Sequence, residues 1–213
     1  MSDVISLKKA ERQVFLVATQ DGLLDIFIGC VFLIWAIAPF LTPSLGDFWG
    51  TVVFVPFWGM VMLGIWLIRK HVVKPRVGVV RFGSARKTRL RKFTVVMLTV
   101  NIIALILGIW RSFNSEALSG GETSALFGLI CLVLCSVAAY FLDFRRLYVY
   151  GLLVGLSPLI GEWLWVRGSA SHHGFPITFG VTATLMILTG LFVFVRLLSN
   201  NPAPREEVTT GEA

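Results

Sequence analysis

The sequence predicts an all-α fold: an integral membrane bundle of six transmembrane helices with both termini on the inner side. Three observations carry this reading. First, the 213 residues are 56% hydrophobic and 15% charged, against about 45–50% apolar and about 25% charged in a water-soluble domain. Second, the excess lies in blocks of about twenty residues, the length that crosses a hydrocarbon core. Third, basic residues alternate between rich and poor in successive connections, as the positive-inside rule requires.

The blocks fall at 22–41, 50–68, 93–110, 124–142, 147–166 and 176–198. Their continuity argues for helices, because membrane β-strands alternate and need only about ten residues. Segment 69–92 holds Arg69, Lys70, Lys74, Arg76, Arg81, Arg86, Lys87, Arg89, Arg91 and Lys92 without one acid. Lys8, Lys9 and Arg12 precede the first block, and Arg145 and Arg146 stand between the fourth and fifth. The intervening connections, 42–49, 111–123 and 167–175, carry almost no Lys or Arg. Residues 1–20 read as a cytoplasmic segment with a short interfacial helix. The first block is a full span long, and Ala36-Ile37-Ala38 runs into Pro39, so it reads as a retained span rather than a cleaved leader. Residues 21–198 form a single membrane domain, and 199–213, with two prolines and three glutamates, read as a disordered cytoplasmic tail.

Helices in lipid associate through small residues that let backbones approach. Gly128, Cys131, Cys135 and Ala138 follow a 3-4-3 spacing, and Gly151 and Gly155 stand four apart on the next block. These two spans are therefore expected to form a tight hairpin. Cys30, Cys131 and Cys135 read as small packing residues rather than disulfide partners.

The search for chemistry starts from ionisable groups, which are costly inside a membrane. None falls near a midplane. Asp21 and Asp25 sit one turn apart at the start of the first span. They are either a paired-carboxylate ion site or helix-capping acids that pair with the basic loop. Glu162, near the outer end of the fifth span, is a proton or substrate candidate, or else an ion-pair partner of Arg111 or Arg167. Asn101 is the deepest strongly polar side chain, about 12 Å into the third span. Pro56-Phe-Trp-Gly59 and Pro158-Leu-Ile-Gly161 place proline in the middle helix of each three-helix half, and paired broken helices mark substrate sites in many transporters. Asp21, Asp25, Asn101, Pro158 and Glu162 are thus the ion or substrate candidates.

His172 and His173 lack the spacing of a metal site, and no phosphate loop, nucleophile elbow or Cys-His pair occurs. No catalytic residue, metal or cofactor is assigned. Without an RNA- or DNA-binding fold or stacking aromatics, the basic segment does not point to nucleic acid. Ten bases beside a bilayer attract anionic headgroups at about 1 kcal/mol each, so Lys74, Arg76, Arg81, Arg86, Lys87, Arg89, Arg91 and Lys92 are assigned to anionic-lipid contact. Val77 and Val79 alternate with polar or small neighbours within KPRVGVVRF, 74–82, which predicts an extended segment.

That loop resembles one in an uncharacterised family of small prokaryotic polytopic membrane proteins with the pattern YPRxGYVxF. Pro75, Arg76, Gly78 and Phe82 stand as in the pattern, a valine pair occupies 79–80, and Lys74 replaces the leading aromatic. Asp21-Gly22 and Phe194-Val195-Arg196 with Asn201-Pro202 are similar to that family's ends. The resemblance implies a bacterial or archaeal cytoplasmic membrane and carries no activity. The leading expectation is a non-catalytic membrane subunit, scaffold or lipid-contacting regulator, in a homo- or hetero-oligomer; the alternative is a small oligomeric transporter of a small solute.

Overall fold

The structure, a computed structural model, describes residues 21–52, 54–77, 84–113 and 120–202. The interfacial helix expected within 1–20, residues 78–82 of the loop motif, and the tail from 203 lie outside the described residues.

Every regular element described is helical. In chain order these are α1 (Leu23–Val52), α2 (Phe54–Ile68), a π-helical turn (Arg69–Val73), α3 (Lys74–Val77), α4 (Ser84–Phe113), α5 (Gly120–Leu142), α6 (Arg146–Val166), a 3-10 turn (His172–Gly174) and α7 (Phe175–Asn200). Five helical segments are long and apolar enough to cross a membrane: Leu23–Leu41, Lys87–Trp110, Gly120–Leu142, Arg146–Val166 and His172–Asn200. Their length and composition support a helical membrane protein. The block at 50–68 is divided between the end of α1 and the 15-residue α2, which rises only about 22 Å.

Three local features differ from the sequence reading. Residues 42–49, expected to be a loop, continue α1, which holds Pro39 and Pro43 internally. Proline lacks the amide hydrogen of a regular turn, which is a common cause of helix bending. The return is visible in contacts: Phe27 meets Trp58 edge-on at 5.5 Å, and Asp21 meets Arg69. As α1 ascends, α2 therefore descends beside it. Second, residues 74–77 are helical rather than extended, because the π turn delivers the chain into α3 in helical geometry at Lys74 (φ −59°, ψ −43°). Third, Pro56 occupies the first turn of α2, where its missing N–H would have no helical partner anyway. It interrupts nothing, whereas Pro158 lies inside α6. The two prolines are not equivalent.

The core joins α1, α5, α6 and α7 through Phe32, Ala36, Cys131, Ala139, Leu147, Val154, Phe179, Ala183 and Met186, with Phe144 from the α5–α6 turn. Phe179 stacks on Phe32 at 6.1 Å and meets Trp35 edge-on at 5.4 Å, while Trp35 lies 5.0 Å from Phe127. Such ring pairs add about 0.5–1.5 kcal/mol each beyond burial.

Small residues set the closest approaches. Gly128 lies against the Gly155 carbonyl, and a Cβ on Gly151 would stand 2.7 Å from the Cys135 Cβ. The predicted α5–α6 hairpin forms on those residues. A second glycine contact joins the first and last helices: Gly22 abuts the backbone of Gly190, and Gly29 abuts Ala183 and Ile187. Gly22 also has φ +84°, a left-handed conformation that favours glycine. The three cysteines are free.

Candidate functional site

Polar groups inside the bundle gather at three levels along α6. The first lies where α1 begins. Asp21 and Asp25 are fully buried, on consecutive turns of chain that enters α1. The Leu23 amide donates to Asp21 Oδ1 at 3.0 Å, and Arg69 Nη2 donates to Asp21 Oδ2 at 2.9 Å. Burial pushes the Asp21 carboxyl above its ordinary range, and the Arg69 guanidinium draws it back.

Asp25 faces α6. Its Oδ2 is 2.9 Å from Arg146 Nη1, yet neither carboxylate oxygen has an aligned hydrogen bond, and Tyr150 Oη likewise has none. The Tyr150 hydroxyl interacts electrostatically with both Asp25 and Thr189. Arg146 also stacks over Phe144, its guanidinium 4.9 Å from the ring centre. Each buried carboxylate thus has its own arginine, one from the π-helical turn that follows α2 and one from the start of α6.

The second level lies about 16 Å further along α6. Ser157 Oγ donates to the Leu153 carbonyl at 2.8 Å and lies 3.1 Å from Thr182 Oγ1 of α7. The next residue, Pro158, is fully buried and lacks the N–H that would reach the Val154 carbonyl. The regular i to i+4 backbone hydrogen bond of α6 is therefore missing at this position. Between the first and second levels stand Val154, Ala183 and Met186, each with no exposed surface.

The third level closes the opposite end. His173 Nδ1 is 2.9 Å from Glu162 Oε2, a partner for Glu162 that the sequence did not indicate. Arg167 instead lies over the Trp163 ring at 3.9 Å, and the Arg111 side chain is outside the description. His172, His173 and Gly174 have φ of 51°, 53° and 66°, three successive left-handed residues. That turn seats Gly174 against Gly161 and brings the His173 ring to 4.2 Å from Trp165. Holding non-glycine residues there costs of order 1 kcal/mol each.

The structure therefore brings Asp21 and Asp25 into one charge cluster and places Pro158 and Glu162 on the same buried face of α6. Asn101 stands apart, exposed on α4, where its amide nitrogen donates to the Met97 carbonyl at 2.8 Å. Of the bases assigned to lipid, Lys74, Lys87, Arg91 and Lys92 are exposed, Arg76 is partly so, and Arg89 is engaged by Asp143 at 2.8 Å. The Arg81 and Arg86 side chains fall outside the description. Among the described residues no group of three or more His, Cys, Asp or Glu could hold a metal.

The Asp21–Arg69 contact is the pairing with the basic segment offered as the capping alternative; sequence reasoning missed Arg146, Tyr150 and His173 as partners, and the Ser157–Thr182 pair. One signal was available: Gly22 and Gly29 on one helix, Ala183 and Gly190 on another, are each seven apart, which brings α1 and α7 together. Comparison with protein families, with curated proteins and with solved structures finds no match to this chain.

Proposed function

We propose that this chain is a non-catalytic subunit or scaffold of a prokaryotic cytoplasmic membrane, with six spans and both termini inside. The observation that carries the reading is the pairing of both buried aspartates with arginines of their own: Asp21 with Arg69 and Asp25 with Arg146. A cation site needs carboxylate oxygens free to face the ion, and a guanidinium at 2.9 Å opposes one. Instead the pairs tie α1 to α2 and α6. The division of the block at 50–68 is compatible with a second span, since α2 returns alongside α1 from the Phe27–Trp58 contact to the Asp21–Arg69 pair. The resemblance at 74–82 supports the prokaryotic location.

The exposed bases Lys74, Lys87, Arg91 and Lys92, joined by Arg76, contact anionic lipid and complete the regulator or scaffold role. Purified protein in liposomes should pass no ion or small solute above the rate of protein-free vesicles. Sustained flux from the protein alone would remove the reading.

A second reading, a small oligomeric transporter, is favoured by one observation. The Ser157–Thr182 pair and the proline break at Pro158 sit between a charged lock at one end and the Glu162–His173 pair at the other. In that case Pro158→Ala or Glu162→Gln alters flux while expression is preserved.

A further inference from the structure

We propose that two copies of this chain associate through α4, with the Asn101 amides hydrogen-bonded to each other across a two-fold axis. The inference rests on the membrane reading of α4 and deepens the scaffold role.

No residue in the most apolar stretch of α4 within Lys87–Trp110 is buried. The helix is tied to the bundle along one line: Arg89 Nη1 donates to Asp143, Arg89 Nη2 to the Tyr140 carbonyl, and Phe93 lies 5.8 Å from the Phe141 ring. Asn101 stands about a quarter turn from that line, at about 100° per residue. It lies eight residues beyond Phe93 and nine before Trp110, so roughly midway through the span.

An amide has two donor hydrogens and an oxygen with two acceptor sites. Asn101 uses one hydrogen on the Met97 carbonyl; its other hydrogen and its oxygen meet no group among the described residues. In hydrocarbon such groups seek a partner. A second asparagine supplies donor and acceptor together, which makes the residue self-complementary, as buried asparagines are in paired helices. A two-fold interface puts the same patch on both copies. The flanking residues suit close approach: Thr94 lies seven before Asn101 and Gly108 seven after, on the same line, and a Cβ on Gly108 would meet nothing within 4 Å. A seven-residue repeat favours a left-handed crossing.

The test uses the full chain with Cys30, Cys131 and Cys135 replaced by serine, carrying Asn101→Cys or, on the opposite side of α4, Ile103→Cys. Oxidation in native membranes should link the Asn101→Cys chain to a second copy, at twice the monomer mass, and leave the Ile103→Cys chain monomeric. Asn101→Leu should lower the two-chain fraction in single-molecule photobleaching, with the association constant falling about 3- to 20-fold. The proposal is overturned by linkage through Ile103→Cys but not Asn101→Cys, by a cross-link only to a different polypeptide, or by an unchanged two-chain fraction in Asn101→Leu. Rapid labelling of the Asn101→Cys thiol by a membrane-impermeant reagent would instead remove the underlying membrane reading of α4.

Discussion

Arg146 at the start of α6 stands 2.9 Å from the fully buried carboxylate of Asp25 near the start of α1. Helices α6 and α1, distant in sequence, are therefore joined by opposite charges inside the protein. Burying both ions is expensive, and the pair's mutual attraction does little more than offset that cost. Removing one partner is a different matter, because it leaves an uncompensated charge. Arg146→Ala should therefore cost about 3 kcal/mol of stability. Asp25→Asn with Arg146→Met should recover most of the loss. Thermal melts of the detergent-solubilised variants measure both, and an Arg146→Ala protein as stable as the parent contradicts the assignment.

The Asp21 carboxyl gives a pH dependence of definite sign. Burial, the largest influence, raises its pKa above 3.8, against the pull of Arg69 and the Leu23 amide. The folded protein then binds a proton more readily than the unfolded chain. The resulting stability is present in full below about pH 4 and is lost as pH rises through the raised value. Asp21→Asn has no such titration. The parent should lose stability relative to Asp21→Asn as pH rises from about 4 to about 7, measured as the difference in Tm. A parent that gains on the variant over that window would mean that Arg69 outweighs burial.

The α5–α6 hairpin makes a prediction by contrast. A Cβ at Gly128 would collide with the Gly155 carbonyl, whereas one at Gly108 would meet nothing within 4 Å. Gly128→Ala should destabilise by about 1–3 kcal/mol through overpacking, and Gly108→Ala should be neutral or slightly stabilising for the single chain. Equal effects would show that the hairpin is looser than these contacts imply.

How much was legible beforehand follows from where each signal resides. The helices and the α5–α6 hairpin were readable, because lipid selects for apolar length and close packing selects for small residues at fixed spacing within neighbouring segments. The partner of Glu162 was not. It depends on three left-handed residues at His172, His173 and Gly174, and nothing in two adjacent histidines announces a reversed turn. Nor was the Asp25–Arg146 pair, since Arg146 read first as one more inside-facing base. Long-range pairing needed the contact of α1 with α7 and α6 to be known. Residues 42–49 went astray because Pro43, Ser44 and Gly46 punctuate like a loop, while α1 stays helical through Pro39 and Pro43.

The central claim is that this protein works by assembly in the membrane rather than by moving a solute. Native mass spectrometry of the protein, gently extracted from its host membrane, tests it most directly. The predicted result is a species with two copies of the 23.6 kDa chain, alone or with a second polypeptide at fixed stoichiometry, that retains anionic phospholipid. Neutralising Lys74, Lys87, Arg91 and Lys92 should strip that lipid. A species carrying a discrete non-lipid small molecule at one per chain would contradict the claim and establish the transporter reading in its place.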